Sequence, residues 1–338
     1  MEFQAATHPI APRDHCRLLV LERGSGKTQV RKFFEILQFF RPGDCLVLNV
    51  SGVFPARILF ERDGKEGELL LQRVPINGDS VLAKMRSRWA KRLAKSGGKV
   101  HFVKGGEGQI QILGFDESAG AYRVRVTSET PLNLLGEVPL PPYILRARSA
   151  SGSPAVEEID QESYQTVYAQ AKGSLAAPTA GLHWTPELLE QVKAGGVSVA
   201  KIILDIGFAS VIRAEGLAVL PEERYEISEE AARLINETGR KGGRRIACGT
   251  SVARTLESVV DSNREIHSGS GATSLFIKKD FQFRAVDALI TNFHLLDSTH
   301  FMLTQSFIGS SVDLRSVYTQ AAQEGFRFFS YGDAMLIL

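Results

Sequence analysis

Two histidines in this chain stand where an imidazole can move protons. His183 lies in the small-residue stretch Gly173-Ser174-Leu175-Ala176-Ala177-Pro178-Thr179-Ala180-Gly181-Leu182-His183-Trp184-Thr185, and His294 lies in Thr291-Asn292-Phe293-His294. Neutral imidazole titrates near working pH, so either histidine suits general acid or base chemistry; a loop histidine also serves as a structural hydrogen bonder. Gly181 and the alanines put little side chain in the way of a ligand, although they would equally suit an ordinary tight connection. Thr185 is a good helix N-cap, with Pro186 at the first helical position and Glu187 favoured by the helix dipole. A polar loop opening a helix in this way can receive an anion or a polar ligand. Arg254 follows Gly249-Thr250 by one helical turn. It can clamp a carboxylate or phosphate bidentately, or pair with Glu257.

The elements that must position these groups follow from pattern. Beyond Tyr164 strands and helices alternate. Helices are expected over 186–194, 229–237 (capped by Ser228 and closed by Gly239), 252–260, 299–308 and near 313–324. Strands are expected over 197–204, 245–248, 285–290, 327–331 and 334–338. Such alternation implies a mainly parallel sheet with ligands beyond the strand carboxyl ends, where Gly249-Thr250 and Thr291–His294 fall. Upstream, 17–23 and 45–49 read as strands and 33–40 as helical. Between about 61 and 135, short apolar runs separated by glycine-rich turns suggest a small β-barrel or sandwich. Met85–Lys95 has helical propensity within it. Residues 147–157 read as a loose linker. The fold class is therefore α/β, a mainly parallel α/β domain interrupted by a small β-barrel insert, with 1–60 and 145–338 in the first and 61–144 in the second.

Composition excludes several function classes. No run of eighteen apolar residues exists and the N-terminus has no apolar signal core, so a cytoplasmic chain is expected. Cys16, Cys45 and Cys248 make neither a disulfide framework nor a zinc motif, so no metal is expected. The net charge is only +2, but Lys84, Arg86, Arg88, Lys91, Arg92, Lys95, Lys99 and Lys104 succeed one another without an acidic residue. This run is either a solvated face or a phosphate-tracking patch, with Trp89 as a possible stacking surface. Gly24-Ser25-Gly26-Lys27-Thr28 mimics a nucleotide-binding loop, but Leu21 occupies the required glycine position and Gln29–Phe33 continues as a strand or short helix. It reads as a hairpin turn.

Ala176–His183, Ala247–Ser251 with Arg254–Ser258, Asp287–Leu295 and Phe326–Ile337 resemble motifs of the S-adenosylmethionine:tRNA ribosyltransferase-isomerases of the queuosine pathway. Pro55-Ala56-Arg57, Leu140–Ile144 and Tyr164–Ala169 are similar too, and the matches run in family order over nearly the whole chain. The resemblance implies an α/β domain interrupted by a barrel. It also implies transfer and isomerisation of the ribosyl part of S-adenosylmethionine onto 7-aminomethyl-7-deazaguanine in tRNA, giving epoxyqueuosine-tRNA with adenine and methionine released. S-adenosylmethionine is then a substrate, no cofactor is required, tRNA is the partner, and a monomer is expected. Given that reaction, chemistry assigns proton transfer to His183 and His294 and the methionine carboxylate to Arg254, with Thr179, Gly181, Gly249, Thr250 and Asn292 completing the pocket. Asp205 stands in Leu204-Asp205-Ile206-Gly207 where the family carries a histidine, making it a third catalytic candidate. Arg57, Arg86, Arg88, Lys91 and Arg92 are the candidates for tRNA contact. The segment after Gly207, through Ala209-Ser210-Val211 and a loop shortened to 217–222, departs from the family pattern. The alternative is a paralogue performing another adenosyl transfer, or binding RNA or nucleotides without catalysis.

Overall fold

A computed structural model describes residues 3, 5–73, 75, 78–208 and 220–338. Nine strands form one mixed sheet in the order Gly269–Thr273, Glu223–Ile227, Ser198–Leu204, Cys45–Asn49, Arg245–Cys248, Ala288–Asn292, Ala334–Ile337, Arg17–Leu21 and Thr28–Lys32. The four central strands from Ser198–Leu204 to Ala288–Asn292 run parallel. Antiparallel neighbours flank them on both sides. The central strands are apolar because helices cover both faces. The helices Glu229–Arg240, Thr250–Val259, Thr299–Ile308 and Leu314–Gln323 pack on one face. Pro186–Ala194 and the 3-10 helix Phe33–Phe39 pack on the other.

Local chemistry sets the ends of these helices. Thr185, Ser228 and Ser298 each accept a hydrogen bond from a first-turn amide, satisfying a donor that the helix leaves unpaired. Gly24–Lys27 turns between the antiparallel strands Arg17–Leu21 and Thr28–Lys32, the expected hairpin.

The second unit is a closed barrel of six strands, Arg57–Arg62, Lys65–Leu71, Val81–Lys84, Ala121–Ser128, Gly106–Asp116 and Lys99–Phe102, sealed by pairing of the first with the last. The helix Ser87–Lys95 packs on it through Trp89 and Leu93. Phe208, from the α/β part, is buried in the barrel's apolar core. Lys84 lies over its ring at 4.6 Å.

Three expectations are corrected. Residues 147–157 are not a loose linker: the helix Pro142–Ala150 runs into them. Arg148 is fully buried there and holds both carboxylate oxygens of Asp160 at 2.6 and 2.8 Å. Residues 327–331 form no strand; Phe329 takes a left-handed φ of 70° and the chain turns before Ala334. Gly239 does not close its helix, which continues to Arg240.

Candidate active site

The carboxyl ends of the central strands open onto a cavity of about 560 Å³, within the range of small-molecule sites. Three loops build most of its polar wall. Thr179 comes from the small-residue stretch, Gly249 from the second loop with Thr250 and Arg254 on the helix it opens, and Asn292 and His294 from the third. Gly249 has a φ of 100°, a conformation that side chains rarely tolerate, and it aims the first amides of Thr250–Val259 at the cavity. Asn292 donates to the Phe329 carbonyl at 3.1 Å, while its side-chain oxygen is buried with no partner among the described residues. A buried acceptor is seldom left unpaired in a folded protein.

Three predicted residues lie elsewhere. His183 sits behind the wall, buried, with Nδ1 3.2 Å from Cys16 Sγ and Nε2 3.2 Å from Asn292 Nδ2. Burial, reinforced by the Arg327 and Arg13 cations, pushes its pKa down to about 3. Gly181 does not border the cavity. A side chain at this position would collide with Tyr168, so the glycine serves packing there and not ligand approach. Asp205 points away between Leu204 and Ile206, which do line the cavity. Its carboxylate accepts from Ser51 Oγ at 2.9 Å, and Ser51 in turn meets Ser174 at 2.7 Å. The segment 209–219 lies outside the described residues.

Arg254 is not paired with Glu257. Its guanidinium donates to the buried carboxylate of Glu223, whose other oxygen accepts from the Gly207 amide at 2.7 Å. The Glu257 carboxylate is occupied by the Arg284, Ala285 and Val286 amides. Burial lowers the pKa of Arg254 to about 10, so it stays charged at neutral pH.

His294 borders the cavity with Nε2 2.7 Å from Thr291 Oγ1. Its pKa is pushed well below the ordinary imidazole value, first by burial and then by neighbouring His300. Sequence reasoning missed His300 and Glu223, both of which line the cavity. The signal for His300 was its place at the start of a helix that follows the His294 loop; nothing local pointed Glu223 towards Arg254.

On the barrel, the side chains of Arg86, Arg88 and Lys91 are exposed and make no hydrogen bond or ion pair among the described residues. Arg92 is paired with Asp63 at 2.5 Å. Arg57 is engaged by Glu68 and Glu137 at 2.9 and 3.1 Å, leaving little free charge for phosphate. Trp89 is no stacking platform: it is 4% exposed and packs edge-on to Phe60.

Comparison with known proteins identifies this assembly. The S-adenosylmethionine:tRNA ribosyltransferase-isomerase of Syntrophomonas wolfei is 41% identical over 345 residues, covering 98% of this chain and 93% of its own. That of Moorella thermoacetica is 40% identical over 346 residues, covering 99% and 96%. A solved structure, the S-adenosylmethionine tRNA ribosyltransferase from Thermotoga maritima, is similar with a TM-score of 0.56 and 32% identity, over 100% of this chain and 99% of that one. Among the described residues no helix is long and apolar enough to cross a membrane. The family model described as queuosine biosynthesis protein matches residues 2–337, and the chain belongs to that family.

Proposed function

We infer that the protein is an S-adenosylmethionine:tRNA ribosyltransferase-isomerase. It moves the ribosyl part of S-adenosylmethionine onto 7-aminomethyl-7-deazaguanine in tRNA and isomerises it, giving epoxyqueuosine-tRNA with release of adenine and methionine. The observation that carries this reading is that residues from all three loop motifs border one cavity at the strand carboxyl ends. Another adenosyl transfer, or RNA binding without catalysis, is not favoured, because relatives at 39–41% identity over nearly the whole chain carry this one activity.

The chemistry requires a proton to leave the carbon beside the sulfonium and a proton to reach the departing adenine. The aminomethyl nitrogen releases another as it gains carbon, and the sulfonium charge leaves with it. In the proposed site His294 handles one of these protons, and the first amides of Thr250–Val259 receive carboxylate or ribose oxygens. The buried Asn292 oxygen accepts from an amino or hydroxyl group of the ligand. Arg254 reaches the methionine carboxylate by sharing its guanidinium with Glu223. His183 holds Asn292 in place from behind. tRNA phosphates meet the exposed cations Arg86, Arg88 and Lys91. The enzyme works as a cytoplasmic monomer with S-adenosylmethionine as substrate and no cofactor.

The test is incubation with S-adenosylmethionine and tRNA carrying 7-aminomethyl-7-deazaguanine. Adenine released in step with modified tRNA is the expected result; a tRNA left unmodified, with no adenine, overturns the reading.

A further inference from the structure

Two imidazoles border the cavity, and they are built as a pair. His300 is the second residue of the helix Thr299–Ile308, and its ring centroid lies 5.3 Å from that of His294, with planes 32° apart. Thr250 Oγ1 lies 2.9 Å from His300 Nδ1, as Thr291 Oγ1 lies 2.7 Å from His294 Nε2. Each hydroxyl occupies one nitrogen and fixes its ring. His294 Nδ1 and His300 Nε2 have no hydrogen-bond partner among the described residues.

Resting on the ribosyl-transfer reading above, we propose that His294 and His300 form a two-imidazole relay carrying one proton from the sulfonium carbon to the departing adenine. In the first half the C–H bond breaks, its electron pair stays on carbon and the proton moves to an imidazole nitrogen. In the second half the bond between sugar and adenine breaks, its pair goes to the adenine nitrogen, the imidazolium returns the proton there, and the pair held on the sulfonium carbon closes onto the sugar carbon that adenine leaves. The surroundings keep the resting pair neutral. Burial and the Arg254 cation lower His300 to about 4, and a helix N-terminus disfavours a positive charge. The other groups bordering this space or touching the pair are Glu223 paired to Arg254, Arg146, Asp297, and the tyrosines Tyr143, Tyr164 and Tyr318. Two adjacent imidazoles cannot both be charged cheaply, so the relay holds a single proton.

The experiment compares wild type with His300→Asn, whose amide can still meet Thr250, in single-turnover adenine release from about pH 3 to about pH 8.5. Turnover should fall on the order of a hundredfold or more, with the apparent constant for S-adenosylmethionine changed less than about twofold. The acid limb should move to higher pH, because His294 no longer titrates beside a second imidazole. Added imidazole should restore part of the rate to His300→Gly. A rate within about threefold of wild type with an unmoved acid limb overturns the relay. If His300→Asn fails to fold, His300→Gln decides by the same two readouts. A wild type that releases no adenine defeats the functional reading itself, and the relay with it.

Discussion

The His183 loop and the His294 loop meet at one side chain, Asn292, and bond their imidazoles in opposite ways. His183 has both ring nitrogens engaged, by Cys16 and by Asn292, and packs beside Phe33 with its ring centroid 5.2 Å away. His294 has one nitrogen tied to Thr291 and the other turned to open space beside His300. The same residue type, in a similar polar loop, is therefore fully bonded into the structure in one place and left with an open edge at the cavity in the other. What separates them is the number of nitrogens already spent. An imidazole with both edges bonded has nothing left to give a substrate.

The two histidines should differ most in turnover. His294→Asn should lose two to four powers of ten in single-turnover rate, the usual worth of a proton-transferring group, while His183→Asn stays within about threefold. Equal losses from the two would erase the distinction. Arg254→Ala, in the wall between them, leaves Glu223 buried and unpaired. It should cost about 3–5 kcal/mol of stability in urea unfolding, whereas a double change to apolar residues costs much less. His183→Ala opens a buried gap and removes two hydrogen-bond partners, so about 2–3 kcal/mol of stability should go with it. His294→Ala, at the cavity edge, should cost under about 1 kcal/mol by the same measurement.

Acid sharpens the contrast further. The folded pKa of His183 is depressed to about 3, so the unfolded chain binds its proton first as pH falls. The stability this histidine contributes is complete above its ordinary value near 6.5 and is lost between there and about pH 3. Replacing His183 with Gln should remove a slope of about 1.4 kcal/mol per pH unit from the stability profile in that window. The smallest expected effect lies on the barrel. Arg88→Glu with Lys91→Glu should weaken tRNA binding and flatten its salt dependence by roughly one log unit per lost contact, leaving both histidine loops untouched. An unchanged slope would mark the helix Ser87–Lys95 as a merely solvated face.

Much of the sheet was legible in the sequence because its signals are local. Cys45–Asn49 and Arg245–Cys248 are short apolar runs, and Pro186–Ala194 starts at a Thr-Pro pair and stops at glycines. The meeting of Thr250 and His294 was legible too, since parallel strands deliver their following loops to one edge. Long-range pairings were not. Glu223 and Arg254 are joined across the sheet by tertiary geometry, and no spacing rule relates them. Ser- and Ala-rich 147–157 has the composition of a linker, yet burial of the Arg148–Asp160 pair gives the helix Pro142–Ala150 a fixed seat. Trp89 sits in a basic run that looks like a solvated stripe, but its helix turns that side chain into the barrel core.

The place of Ala334–Ile337 carries a consequence for biogenesis. This strand lies inside the sheet, parallel to Arg17–Leu21 on one side and antiparallel to Ala288–Asn292 on the other. As the ribosome works along the message, Arg17–Leu21 emerges early and then waits through some three hundred further residues for its inner neighbour. The barrel strands fall within 57–128 and have every partner at hand long before that. Nascent protein therefore passes through a stage with one unit able to close and the other showing unpaired apolar strand edges. Those edges are open to the wrong partner until the last strand slides between them.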